Sequence, residues 1–189
     1  MEIKKMKNCL AIFDLDGTLF DTTEVNYYAY KEALQMYGYN LNHDFFTEEC
    51  NGRHYKEFLP VIVANLDHIE EIHNYKKKAY SKYLSKAIMN EHLIRMIPQI
   101  QKIYHTAVVT TASRKNCMEI LEWFQIDKMF ELILTHEDIT QVKPNPEGFL
   151  KAMDYFKVDA KKTIIFEDSN VGIMAAEASG ASVMIVDKF

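Results

Sequence analysis

Cysteine is scarce: three in 189 residues, Cys9, Cys50 and Cys117, widely spaced and without a CxxC pair. That spacing excludes a cysteine zinc site and fits a reducing compartment. A long hydrophobic run is also missing. The apolar stretch behind the basic N-terminal residues 1–8 is short and ends on Asp14, so neither a signal peptide nor a membrane span is expected. The expected location is the cytoplasm, with no membrane partner. Positive charge is not in excess, since 22 Lys and Arg stand against 27 Asp and Glu for a net charge of -5. A nucleic-acid partner is therefore not expected. The one basic run, Lys76-Lys77-Lys78, reads as a solvated helix face. Internal repeats and low-complexity segments are absent. The length suffices for one well-buried domain and a sub-domain.

What is present begins with an unalternating apolar run from Cys9 to Phe13, which reads as a strand buried on both faces. It ends on Asp14 and Asp16, where a parallel sheet opens its ligand-binding edge. Two carboxylates this close repel unless a cation or shared proton relieves them, and hard oxygen donors favour Mg²⁺. Asp16-Gly17 alone reads equally well as a hairpin turn.

Four further strand-like runs follow residue 100: Thr106 to Thr111, Leu132 to Thr135, Thr163 to Phe166 and Ser182 to Val186. Helical patterns separate them, including Lys115 to Phe124 and Pro146 to Phe156. The alternation predicts an α/β fold with a doubly wound parallel sheet. Between the first and second strands the chain shows only helical spacing. Val25, Tyr28, Ala29 and Leu34, then Phe58, Val61 and Ile62, then Ile72, Tyr75, Ala79 and Tyr83 are expected to form a small core of their own. The expected division is residues 1–20 with 91–189 as the α/β core and 21–90 as an all-α insertion.

Three later segments carry chemistry. Val108 to Arg114 ends a strand in hydroxyls followed by a base, which suits a phosphate oxygen; Ser113 equally suits a helix cap. Lys143 directly precedes Pro144 and Pro146, which stiffen its loop, in Val142-Lys143-Pro144-Asn145-Pro146. Ile164 to Gly172 is a second buried strand ending on two acids, Glu167 and Asp168. It offers a metal ligands from a second strand.

Taken in order, these segments resemble the haloacid dehalogenase superfamily of phosphotransferases. DxDGT is Asp14 to Thr18, the strand-end hydroxyl is Thr111, the lysine of KPxPExF is Lys143, and EDSxxG is Glu167 to Gly172. The insertion resembles the small helical cap of the β-phosphoglucomutase and phosphoglycolate phosphatase subfamily. The resemblance implies Asp14 as nucleophile and Asp16 as general acid and base. It implies Mg²⁺ held by Asp14, the Asp16 carbonyl and Asp168, with Glu167 close by or ligating. Thr111 and Lys143 would hold phosphoryl oxygens, with Ala112, Ser113 and Arg114 beside them. Arg53, with His54, Tyr55 and Lys56, would read the leaving group from the cap.

The substrate would be a small phosphorylated metabolite, a sugar phosphate or similar monoester. Mutases of the subfamily carry a hinge histidine where Asn26 stands and a cap arginine where Tyr55 stands; a KxxxY pair is matched by Lys76 and Tyr80. Two missing markers of three make water the expected acceptor and the chain a phosphatase. The alternatives are a hexose-phosphate mutase and, in another class, a non-catalytic phosphate-ester-binding module. The usual Pro-Gly turn on leaving the cap is replaced by Asn90-Glu91-His92-Leu93. The fifth strand lies close to Phe189 and is expected to be an edge, open to cover by a partner; monomer and homodimer both stay open.

Overall fold

The computed structural model describes residues 7–187 and 189. Among them, five strands form one parallel sheet: β1 (Cys9–Phe13), β2 (Tyr104–Val109), β3 (Leu132–Leu134), β4 (Thr163–Glu167) and β5 (Ser182–Ile185). Their order is β3-β2-β1-β4-β5, with every neighbouring pair parallel. This is the doubly wound arrangement, in which the chain reverses direction across the sheet at β1. β1 is central and carries the apolar run; from Leu10 to Phe13 it is inaccessible to solvent.

Each crossover is helical. α1 (Thr23–Gln35), α2 (Tyr55–Ile62) and α3 (His68–Ala79) lie in the insertion. α4 (Glu91–Ile100), α5 (Arg114–Trp123), α6 (Glu147–Phe156) and α7 (Asn170–Ala178) belong to the sheet unit. Leu10, Ile12, Val109 and Ile165 from the strands pack with Phe149, Ala152 and Met153 of α6 and Ala175 and Ala176 of α7. Alternate strand residues face the other way. There Phe13 stacks on Phe166, its register partner on β4, with ring centroids 4.7 Å apart.

The chain divides into two compact units, Met1–Asp21 with Met89–Phe189, and Thr22–Ile88. The second has its own core of Tyr27, Tyr30, Leu34, Phe46, Phe58, Leu59 and Ile72. Val61, expected inside, is 74% exposed, because α2 turns Phe58 and Leu59 inward instead. Tyr75 and Tyr83, expected as apolar packing, are half-buried with hydroxyls donating to Glu32, at 2.9 and 2.8 Å.

Element boundaries differ from the sequence reading by one or two residues, three of them beside the site. β2 ends at Val109, two residues before Thr111, while α5 starts at Arg114 and α6 at Glu147. No helix among the described residues is long and apolar enough to cross a membrane. All three cysteines are unpaired.

Candidate active site

Strand register brings the acids together. Phe13 of β1 pairs with Phe166 of β4, so the next residues, Asp14 and Glu167, emerge side by side at the carboxyl edge. The Asp14 N–H still donates to the Phe166 carbonyl at 3.0 Å, which pins it to β4. Asp14 is 6% exposed and Glu167 is wholly buried. Lys143 Nζ donates to Asp14 Oδ1 and to Glu167 Oε1, both at 2.5 Å. Asp168 completes the group: one carboxylate oxygen from each of Asp14, Glu167 and Asp168 lies within 4.8 Å of the others.

The loops that present these groups are built from small residues. Gly17 holds φ +91°, and a Cβ there would lie 2.0 Å from Asp168 Oδ2. At Gly172, in the first turn of α7, a Cβ would lie 1.8 Å from Glu167 Oε1. Gly17 is therefore required by the Asp168 carboxylate and by its left-handed backbone, and Gly172 by the Glu167 carboxylate. Glu167 Oε2 accepts from the N–H groups of Asp168 (2.7 Å) and Ser169 (2.9 Å) and from the Ser169 hydroxyl (3.1 Å). With Lys143 on its other oxygen, Glu167 serves the protein on both sides. It fastens Lys143 to the loop that carries Asp168.

Burial pushes the Asp14 carboxyl well above the usual range; Lys143 opposes this and the Glu167 charge adds to it. Burial pushes Asp168 up to about 6, with the Thr18 hydroxyl opposing. Lys143 is lowered by burial but raised more by Asp14 and Glu167, so it stays a cation. Burial, then Asp16 and Asp14, push the Cys117 thiol up to about 12, which removes it as a nucleophile.

With all groups ionised, three carboxylates and one ammonium leave two negative charges in a mostly buried space. A divalent cation balances them, and an all-oxygen donor set is the kind that Mg²⁺ accepts. The residues present fit such an ion. Asp14 and Asp168 would hold it, with Glu167 keeping Asp168 in place.

The other expected site residues are placed as follows. Asp16 is half-buried in the loop between Asp14 and Phe20. Thr111 is exposed beyond the end of β2, and Ala112 is half-buried with its N–H on the Thr110 hydroxyl at 3.0 Å. Ser113 caps α5: its Oγ accepts from the Asn116 N–H and donates to Asn116 Oδ1 at 2.6 Å. Arg114 turns to Asp138, 2.5 Å away, while its N–H donates to Glu137. Arg53 lies in the inserted unit, donating to the Glu49 carbonyl and pairing with Glu57.

Two contributors escaped the sequence reading. Thr18, fully buried, donates its hydroxyl to Asp168 Oδ1 at 2.9 Å. Glu147 staples the lysine loop, accepting from Thr140 N–H (2.9 Å) and Gln141 N–H (2.7 Å); the Lys151 ammonium first, and then these two bonds, hold its carboxyl down at about 2. Each sits inside a quoted motif, so position was available as a signal while partner was not.

Residues 11–186 match the family model described as haloacid dehalogenase-like hydrolase. The chain belongs to that family. Among similar curated proteins, the phosphorylated carbohydrates phosphatase of Thermotoga maritima is 27% identical. Its alignment covers 89% of this chain and 80% of that protein. The pyrophosphatase PpaX of Halalkalibacterium halodurans is 25% identical over 93% of this chain and 81% of its own length. Among solved structures, CbbY of Rhodobacter sphaeroides in complex with xylulose-(1,5)bisphosphate superposes with a TM-score of 0.84. It is 21% identical, covering 97% of this chain and 88% of that one, a likeness of fold. This haloacid dehalogenase-like chain is accordingly a hydrolase of the phosphatase kind.

Proposed function

We propose that the chain is a Mg²⁺-dependent phosphatase that hydrolyses a small phosphorylated metabolite, a sugar phosphate or similar monoester, through an aspartyl-phosphate. The observation that carries this reading is Lys143 Nζ, 2.5 Å from both Asp14 and Glu167, with Asp168 alongside. The buried Lys143 ammonium orients the Asp14 carboxylate and opposes the upward push of burial on its pKa, which favours the ionised form that attacks phosphorus. An Asp14 oxygen attacks phosphorus and the ester oxygen leaves, taking a proton from Asp16. Asp16 then accepts a proton from water, which attacks phosphorus and releases inorganic phosphate and the Asp14 carboxylate. Lys143 and the Thr111–Ala112 turn would meet the phosphoryl oxygens, and Lys143 would offset their charge. When bound at Asp14, the Asp16 carbonyl and Asp168, Mg²⁺ supplies the positive charge that lets an anionic ester approach an anionic nucleophile.

Ser113 and Arg114 have smaller parts in this reading, since both side chains are engaged by α5 and by Asp138. Two features of the insertion favour water over a second sugar as acceptor. The Asn26 amide is tied to the Thr22 hydroxyl at 3.1 Å, and the Tyr55 hydroxyl is given to Glu70. Neither side chain can act as the histidine or arginine of a mutase would. Three unpaired thiols support a reducing, cytoplasmic setting.

The test is phosphorus NMR on a hexose 1-phosphate with Mg²⁺ and a trace of hexose bisphosphate. Inorganic phosphate and free sugar are expected. Accumulating hexose 6-phosphate would restore the mutase, and no turnover across a panel of phosphate monoesters would restore the binding module.

A further inference from the structure

We infer that Asn90 is a positioning residue for this reaction, acting through Thr18 on the loop that carries Asp16 and on the carboxylate of Asp168. The inference rests on the roles proposed above for those two acids. Asn90 opens α4 just after the chain returns to the sheet unit at Met89, and it is 7% exposed. Its carbonyl accepts from Ile94 N–H at 2.9 Å within α4, and three further hydrogen bonds join it to its surroundings. Its N–H donates to the Leu19 carbonyl at 2.9 Å, its Nδ2 donates to the Thr18 carbonyl at 3.1 Å, and its Oδ1 accepts from Leu93 N–H at 3.1 Å.

Capping α4 needs only the acceptor, which Ser or Asp supplies as well. The amide donor goes instead to Thr18, a fully buried residue whose hydroxyl donates to Asp168 Oδ1 at 2.9 Å. Thr18 is thus held from one side and holds Asp168 on the other. The same loop is closed on itself by Gly17 N–H on the Phe20 carbonyl (2.7 Å) and by Leu19 and Phe20 N–H on the Leu15 carbonyl (both 3.0 Å). Asn90 fastens that closed loop to the first turn of α4. A catalytic acid displaced by about 1 Å can lose on the order of a hundredfold in rate, so a single buried tether has leverage.

Asn90→Ser and Asn90→Asp, made in the full chain, both keep the cap acceptor and remove the amide donor. The melting temperature is expected to stay within a few degrees of wild type, because the helix cap survives. Hydrogen exchange is expected to quicken in residues 14–20 and not in α4. Calorimetric titration with Mg²⁺ alone should show affinity reduced by about three- to tenfold, and kcat on an aryl phosphate should fall about tenfold with KM within about twofold. Adding Thr18→Val to Asn90→Ser should cost less than the two single losses combined, since both break one chain of bonds. Wild-type kcat and Mg²⁺ affinity in both variants would overturn the inference. So would exchange that quickens evenly across the sheet unit, which marks a general loss of stability. Exchange and metal binding read the tether without turnover, so they still decide the matter if Asp14→Asn proves active and the phosphatase reading fails.

Discussion

At the scale of single residues, the site is an exercise in charge crowding. Asp14, Glu167 and Asp168 share a mostly buried space with one ammonium, Lys143. Asp14→Asn should abolish turnover, because an amide cannot attack phosphorus. It should leave the melting temperature equal or higher, since one buried carboxylate and its repulsion of Glu167 and Asp168 are gone. A variant with more than a tenth of wild-type kcat would remove Asp14 as nucleophile. Gly172→Ala tests the opposite kind of constraint. Its methyl group would fall 1.8 Å from Glu167 Oε1, so Glu167 must move and release Lys143. A loss of more than a hundredfold in kcat is expected, with a destabilisation of about 1–3 kcal/mol typical of overpacking; unchanged kinetics would show that Glu167 need not stay where it is.

At the scale of elements, the question is where strands and helices end. The run Thr106 to Thr111 is uniformly strand-forming, yet β2 stops at Val109. Thr110 continues the ladder with its N–H on Leu134 and then turns its hydroxyl onto Ala112 N–H, closing a tight bend that leaves Thr111 exposed. Local side-chain bonds of this kind compete with the ladder and leave little trace in hydrophobic pattern. The next residue, Ser113, had two readings, ligand and cap, and its bonds to Asn116 favour the cap. Ser113→Ala should therefore destabilise by about 1 kcal/mol and change kcat and KM by less than about twofold. A large rise in KM at unchanged stability would return Ser113 to the phosphate site. Val61 makes the same point on the inserted unit: helical spacing was legible, but its phase was set by which face the neighbouring helices covered.

At the scale of the whole molecule, the acidic cluster of Asp14, Glu167 and Asp168 couples stability to pH. The Asp168 carboxyl is raised to about 6 in the folded chain, mainly by burial, against an ordinary value of 3.8. An acid raised by folding favours the fold in its protonated form. Its contribution is complete below the ordinary value and is lost as pH rises through about 6. Other carboxylates, Glu147 and Asp138 among them, are lowered and act in the reverse sense at acid pH, so total stability does not isolate this effect. The difference between wild type and Asp168→Asn does. In chelator, wild type should lose melting temperature relative to the variant between about pH 3.8 and 6 and level off above that. Above pH 6, Mg²⁺ should raise the melting temperature of wild type and raise that of the variant far less. A pH-independent difference would show that Asp168 is not the group that crowding penalises. At the far edge of the same sheet, β5 leaves Met184 and Ile185 more than half exposed, as an unpaired edge strand does.

The sequence by itself determined the parts whose chemistry is local. An unbroken apolar run must be covered on both faces, so β1 is central. Acids placed directly after two such runs must emerge at one sheet edge, so Asp14 and Asp168 were legible, as was the lysine ahead of its two prolines. The helical insertion was legible from spacing alone. Only the tertiary structure decided which groups serve one another. Thr18 meets Asp168 across 150 residues, Lys143 meets Asp14 across 129, and Asn90 meets Thr18 across 72. Such pairings depend on strand order and register. They make Glu167 a buttress, turn Arg114 toward Asp138 and tie Asn90 to Thr18 and Leu19. The physical reason is that a side chain's type limits what it can donate or accept, whereas its partner is set by which strands become neighbours, a property of the whole sheet.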